Sequence, residues 1–497
     1  MKAALINPNL LVQPKDPLTT GIVYMPIGLA YVATALRAKG EEVTVIDAFG
    51  ARPKEVRRED RFYSFGLDPE ETASRVAPDT QVIFLYANQL TNHLAVLKIL
   101  RHLKERFPNI PKVVLENTQA VTAYALRFAA PEFYSAGADF ILTGEAEVRA
   151  VRLCQVLARG GAEQELRQID GLGSPDFYTP PAGFLSDLDA LPFPAWELFP
   201  LENYWALKHA HGPFESRRYL PILTSRGCPY PCKFCVVPET NQRKWRSRSA
   251  QSVADELEFF SRQRSVSEFH VEDLNPTISD ERTRALCQEI IRRRLRLCWK
   301  IVAGTKVESI RNEETVALMA RAGCRYISIS PETGSPRLLK QMEKPFDLAH
   351  AVRIIKEMNR RGIRSQACFV LGFPGENGED RSMTRRLVRD LTRVGLDEVA
   401  LFVITPVPGS SLYGTLQGYQ NLSELNFSPS WRSDYRLLSR FRLNLYARFL
   451  LWKFFYHPLK FFRQVVNFLL KRFETKMEMA PYRGLSVQWA SLKCRPL

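Results

Sequence analysis

The sequence predicts an α/β protein: two successive strand–helix modules followed by a basic helical region. Three observations carry this. Short apolar runs alternate with helical-period segments through residues 1–150, the rhythm of a doubly wound parallel sheet. Six further strand candidates, interleaved with amphipathic segments, occupy residues 219–415. Over 416–497 the strands stop, and basic and aromatic residues crowd together. A chain of 497 residues has room for two or three domains with cores of their own.

In the first module (1–150), residues 2–7 alternate too little for a half-exposed strand and read as a buried parallel one. Leu29, Val32, Ala33 and Leu36 fall at helical spacing within 27–39, and Gly40 is a C-cap candidate. Strands follow at 43–46, 81–86, 112–115 and 139–143, with helices at 94–106 and 148–157. Ligands on such sheets sit at the carboxyl ends of strands. Pro8, Asp47 and residues 87–92 and 116–119 would line that crevice, and the fifth strand closes on Gly144-Glu145-Ala146-Glu147. His93 reads as a helix-surface residue. Residues 151–218 read as a linker, Gly/Pro-rich over 160–181 and stiffened by prolines over 187–196, with no chemistry assigned.

In the second module (219–415) the strand candidates are 220–224, 268–272, 299–304, 326–330, 365–371 and 398–404. Helices lie near 250–262, 280–293, 312–322, 347–361 and 380–394. Six repeats fall short of the eight in a closed barrel. The first strand feeds Cys228-Pro-Tyr-Pro-Cys232-Lys-Phe-Cys235. Gly227, Pro229 and Pro231 forbid a helix or central strand there, so the thiols lie on a loop able to wrap one small inorganic centre. Structural zinc and a fully ligated iron–sulfur cluster each take four ligands, whereas three thiolates on a 4Fe–4S cluster leave one iron open. Two plainer readings stay open: three buried small residues, or zinc with a remote fourth ligand. Cys154, Cys287, Cys298, Cys324, Cys368 and Cys494 are scattered without a disulfide framework, which points to a reducing cytosol. The N-terminus lacks a secretory apolar region, and no apolar run reaches the roughly 20 residues of a spanning helix. The expected location is the cytoplasm, free or peripheral on the inner membrane face.

The run TSRGCPYPCKFC resembles the signature of the radical S-adenosylmethionine (SAM) superfamily, Cys-x3-Cys-x-aromatic-Cys, with Phe234 as the aromatic. The stretches MPIGLAYVATALRAKG, VTVIDA and DFILTGEAE, the LPFPAW linker and the module order resemble the cobalamin-binding-domain subgroup, from residue 1 to about 415. This resemblance implies a Rossmann-like first domain and an open (β/α)6 barrel. It implies Cys228, Cys232 and Cys235 as ligands of a 4Fe–4S cluster, with SAM on the open iron. Glu272 and Asp273 would meet the SAM ammonium, Lys306 its carboxylate, and Glu332 with Ser335 its ribose. The GFPGE turn at 372–376 and the TPVPG loop at 405–409 would shape the cleft. Plainer roles stand beside these: an Asp-Asn turn before Pro276 and a Ser279 helix cap, and a solvated Lys306.

Cobalamin is the third implied cofactor, with two departures from the subgroup's pattern. The chain has no Asp-x-His-x-x-Gly motif and so no lower-axial His, and the fourth strand ends Leu-Glu-Asn-Thr instead of Gly-Gly. A sheet that has kept its fold and lost its cobalamin therefore stays open. The implied reaction is generation of a 5′-deoxyadenosyl radical and methylation of an unactivated carbon on a small or lipidic substrate. Its electron donor would be a flavodoxin or ferredoxin. Two alternatives are oxidation or cyclisation, as in the anaerobic magnesium-protoporphyrin ester cyclase branch, and a non-catalytic iron–sulfur protein that senses SAM or cobalamin. No second cysteine triad supports a methylthiotransferase.

The tail carries much of the net charge of +16: between residues 432 and 476 there are eleven basic and two acidic side chains. Apolar residues fall among them at helical spacing, giving two helices broken at Pro458. Basic amphipathic helices with Trp and Phe read as binders of an anionic membrane surface. The competing reading is a helical cap whose apolar face covers the barrel and whose charges are solvated. Nucleic acid is not expected, since no recognised binding module accompanies the charge.

Overall fold

A computed structural model of the chain describes residues 1–492 except 15, 17, 18 and 345. Cys494 lies outside the described residues. The first sheet holds Lys2–Asn7 (β1), Glu42–Asp47 (β2), Val82–Ala87 (β3), Lys112–Glu116 (β4), Phe140–Leu142 (β5) and Leu172–Gly173 (β6), in the order β2-β1-β3-β4-β5-β6. Its first five strands are parallel, and β6 adds an antiparallel edge. Ile27–Arg37 (α1), His93–Arg106 (α2) and Ala146–Ala158 (α3) cover it. The central strand β3 is buried at every residue, as expected of a parallel strand with helices on both faces. A small antiparallel sheet of Leu10–Val12, Phe62–Phe65 and Val56–Glu59 lies beside it.

His93 corrects the sequence reading. It opens α2 fully buried, 2.9 Å from the Tyr124 hydroxyl and 3.2 Å from Glu132, with Phe133 edge-on at 5.1 Å. Its surroundings are aromatic, and both ring nitrogens are engaged.

The second sheet runs in chain order and is parallel throughout: Tyr219–Ile222 (β7), Glu268–Val271 (β8), Cys298–Thr305 (β9), Cys324–Glu332 (β10), Arg364–Leu371 (β11) and Glu398–Val403 (β12). Among the described residues β7 and β12 are not paired to each other, so the six strands form an open barrel. Helices Ala250–Arg264 (α4), Asp280–Arg292 (α5), Glu313–Arg321 (α6), Pro336–Gln341 (α7), Leu348–Arg360 (α8) and Gly378–Arg393 (α9) follow in the crossovers. Ser279 caps α5 through the Arg282 amide, the role its position predicts. One continuous apolar core joins β1 and α1, the linker's Trp196 and Tyr204, and the barrel's Leu220, Phe269 and Ile301.

Among its described residues the tail forms three α-helices: Tyr435–Tyr456 (α10), Pro458–Leu470 (α11) and Lys476–Leu492 (α12). The break at Pro458 falls where expected, while α12 was not anticipated. In α10, Leu438, Leu445 and Phe449 are buried against the barrel. For α11 the cap reading is wrong. Its polar side faces the protein: Lys460 pairs with Asp397 at 2.9 Å, Gln464 donates to Thr475, and Asn467 reaches Glu478. Its apolar side faces out.

Candidate active site

The strand ends of the first module face the mouth of the barrel, and buried charges lock the two together. Arg226, just before the cysteine loop, pairs with Glu147 at 2.7 Å, and Arg246 holds Glu145 through two nitrogens at 2.6 and 3.0 Å. Arg226, Glu145 and Glu147 are all buried. A short antiparallel ribbon, Ser225–Arg226 on Arg246–Ser247, brings the two arginines side by side. Gly227 then turns with φ +80°, and a Cβ there would lie 1.9 Å from the Lys244 carbonyl oxygen. Only glycine fits the start of this loop.

The loop folds back at Cys232, whose carbonyl accepts from the Cys235 amide at 3.1 Å. Phe234 packs on Leu338, Met342 and Phe373, and the Lys233 amide donates to the Met342 carbonyl. Two lysines approach, Lys306 from the end of β9 and Lys344 from beyond the end of α7. Lys306 Nζ sits 4.2 Å over the Tyr230 ring, and Lys344 sits 5.9 Å over Phe234 while pairing with Glu332. Both are buried, so Lys306 is not a solvated lysine. Burial opposes the charge of Lys344, but Glu332 beside it outweighs burial and raises its pKa. Burial pushes all three thiols up, Cys232 to about 11, and the Lys344 ammonium pulls each back. Among the described residues no group of three or more His, Cys, Asp and Glu side chains already surrounds one metal position.

The remaining sequence candidates divide. Glu332 stands beside the loop with φ +65°, a left-handed backbone that a non-glycine residue adopts only under constraint. Asp273 is buried and turned to the chain itself, accepting from the Thr224 amide and hydroxyl and the Ser225 hydroxyl at 2.6–2.7 Å. Ser335 caps α7 and donates to Asp380 at 2.6 Å. Glu272 lies 2.6 Å from His211, a linker residue to which the sequence gave no role. Burial holds His211 below the usual imidazole range, so it is neutral and donates Nδ1–H. The linker enters the barrel here: a Cβ on Gly212 would lie 2.3 Å from Val302 and 2.9 Å from His270. Lys344 and Asn275, whose side chain pulls the Cys228 pKa back against burial, were also missed. The one usable signal for Lys344 was a lysine directly before a proline at the end of a short helix.

At the crevice of the first sheet, Asn92 donates to Asn88, Asn88 to Asn7, Asn7 to Asp47, and Tyr204 to the other Asp47 oxygen, at 2.7–3.0 Å. Glu116 accepts from the Leu126 and Gly144 amides, and burial pushes it up to about 7 against their pull. Beyond it, residues 117–127 meet the barrel loops: Asn241 donates to the Thr118 carbonyl, the Ala125 amide to that of Pro408, and Arg127 pairs with Glu239. Among the described residues, the buried oxygens without a partner on these meeting loops include those of the Gln119 and Asn241 amides and of the Thr405 and Ser410 hydroxyls. Buried acceptors left this way suit a ligand rich in N–H donors.

Residues 222–388 match the model of the radical SAM superfamily. The chain is 26% identical over 452 residues to cytidylyl-2-hydroxyethylphosphonate methyltransferase of Streptomyces wedmorensis, covering 83% of this chain and 80% of that protein. It is 25% identical to the anaerobic magnesium-protoporphyrin IX monomethyl ester cyclase of Synechocystis, covering 78% and 72%. Its fold is similar to that of the radical SAM methyltransferase TsrM from Kitasatospora setae, solved with cobalamin and a 4Fe–4S cluster: TM-score 0.63, 20% identity, 83% of this chain and 74% of that one. The barrel thus carries a radical SAM domain over residues 222–388, and across both modules the chain is similar in sequence to a methyltransferase and an ester cyclase and in fold to a cobalamin-bound radical SAM methyltransferase.

Proposed function

We propose that this enzyme methylates an unactivated carbon of a small or lipidic substrate, using SAM, a 4Fe–4S cluster and cobalamin. The observation that carries this is the seam itself: the cysteine loop opens toward the strand ends of the first module, held there by Arg226 on Glu147. Cys228, Cys232 and Cys235 would hold the cluster, three soft thiolates with two ammonium groups nearby to offset negative charge. When bound, the cluster supplies the electron that cleaves SAM to the 5′-deoxyadenosyl radical. Lys306, Glu332 and Asn275 stand at the strand ends around the loop and would orient SAM; Phe234 shields one side from water. Glu272, oriented by His211, would take the ammonium. Asp273 and Ser335 would act from behind, fixing the Thr224–Ser225 turn and the start of α7. The unpartnered oxygens of Gln119, Asn241, Thr405 and Ser410 fit the amide rim of a corrinoid. His93 is engaged on both nitrogens, so no protein histidine is proposed as an axial ligand.

The partners proposed are a one-electron donor of the flavodoxin or ferredoxin kind and an anionic membrane surface against the C-terminal helices. A second reading, radical oxidation or cyclisation without methyl transfer, is supported by similarity to the ester cyclase over 78% of the chain. Anaerobic reconstitution with dithionite separates these readings. Formation of 5′-deoxyadenosine together with methylcobalamin-dependent methyl incorporation is expected. Absence of 5′-deoxyadenosine would sink the enzymatic reading, and product formed without methylcobalamin would sink the methylase.

A further inference from the structure

In a water-soluble fold an amphipathic helix turns its apolar side to the core. Helix α11 does the reverse. Lys460, Gln464 and Asn467 lie against the barrel and α12, each with a hydrogen-bond partner. Leu459, Phe462, Val466, Leu469 and Leu470 fall on the opposite side, with Leu459 84% and Leu469 71% exposed. The patch continues across the Pro458 junction to Phe455 of α10, which is 69% exposed, through a surface cluster in which Phe454 meets Phe455, Phe461 and Phe462 at 5.5–6.0 Å. Contiguous exposed apolar area of this kind marks an interaction surface.

We propose that α11 and the C-terminal half of α10 dock on an anionic bilayer. Charge selects that occupant. From residue 435 to 472 there is no acidic side chain, while Arg448, Lys471 and Arg472 are exposed at the borders of the patch. An apolar centre with a cationic rim matches acyl chains beneath anionic headgroups. Two copies of this face would bring like charges together. No helix among the described residues is long and apolar enough to cross a membrane, so the face lies in the interface. The bonds of Lys460 to the Asp397 carboxylate and of Lys453 to the Asp397 carbonyl tie the docking helices to the barrel. The inference rests on the membrane partner already proposed and needs no methyl transfer.

Flotation of the full-length protein tests it, with vesicles of phosphatidylcholine alone or mixed with phosphatidylglycerol. Wild type floats with the mixed vesicles, and Leu459→Glu/Phe462→Glu/Leu469→Glu partitions at least about tenfold less. Lys471→Glu/Arg472→Glu loses the preference for phosphatidylglycerol. Should the triple variant misfold, Leu459→Glu alone, at the most exposed of these positions, shows a smaller drop in the same direction. Equal flotation of wild type and variants overturns the proposal. So does a wild-type dimer that never floats and that the triple variant makes monomeric, which would assign the face to a second copy. 5′-Deoxyadenosine formation without vesicles, measured in parallel, reports the reaction separately: a chain that floats and leaves SAM intact keeps the docking face and loses the enzymatic reading.

Discussion

Lys344 and Glu332 form a buried ion pair beside the cysteine loop, with the ammonium 5.9 Å over the Phe234 ring and the carboxylate on a residue of φ +65°. The pair joins α7's end to that of β10 and holds a positive charge where all three thiols feel it. Lys344→Met removes that charge, so every thiol pKa rises further and less thiolate is present at pH 8. In the reduced, metal-free protein, alkylation of the three cysteines is expected to slow several-fold, with Lys344→Arg near wild type. Alkylation of the Met variant at the wild-type rate would show that Lys344 does not tune the loop.

Gly227 enters the loop with φ +80° and leaves no room for a Cβ. Gly227→Ala should therefore displace the loop from the Lys244 carbonyl at a local cost of about 1–3 kcal/mol. The barrel strands do not depend on this turn, so far-UV circular dichroism stays unchanged. Iron bound after anaerobic reconstitution falls well below the wild-type level of about four per chain. Full iron loading in the variant would refute this role for the turn.

Arg226 is 3% exposed and links the start of the cysteine loop to Glu147 of the first module. Arg226→Met strands Glu147 without its partner, whereas Glu145 keeps Arg246. Breaking a buried pair from one side costs about 3–5 kcal/mol. The variant should melt earlier, and limited proteolysis should cut first in the linker between the modules. Glu147→Gln, which leaves a neutral amide within reach of the guanidinium, costs less. Equal melting of both variants and wild type would remove the lock from the account.

How far these features could be read in the sequence follows from their range. The parallel strands declared themselves as short apolar runs, and the cysteine loop by glycine, prolines and spacing within twelve residues. What was hidden needed contacts between distant segments. His211 meets Glu272 only because the linker threads into the barrel, and Lys344 gains meaning only beside Glu332. The Asn7–Asn88–Asn92 ladder looks, in sequence, like ordinary turn residues at strand ends. His93 misled because a polar residue at a helix start usually faces water, whereas Tyr124 and Phe133 enclose it here. For α11, periodicity gave the apolar side of the helix and could not give the direction in which that side points. Only the partners of Lys460, Gln464 and Asn467 decide that.

Lys453 of α10 gives a prediction in pH. It is fully buried beside Phe449 and donates to the Asp397 carbonyl, and burial lowers its pKa from the ordinary 10.5 to about 8, with Lys460 nearby adding repulsion. The unfolded chain therefore holds this proton through a pH range in which the folded chain has lost it. Stability gains nothing from the group below about pH 8 and rises between about 8 and 10.5, because there the unfolded state binds the extra proton. Lys453→Met keeps the volume and removes the buried charge, while Gln464 still donates to the Asp397 carbonyl at 3.4 Å. The variant should be more stable at pH 7, by roughly 2–3 kcal/mol at most. Its melting temperature should also lose one proton's worth of upward slope between about pH 8 and 10. Parallel melting curves for variant and wild type across that window would mean that Lys453 stays protonated in the fold up to its ordinary pKa and that burial does not lower it.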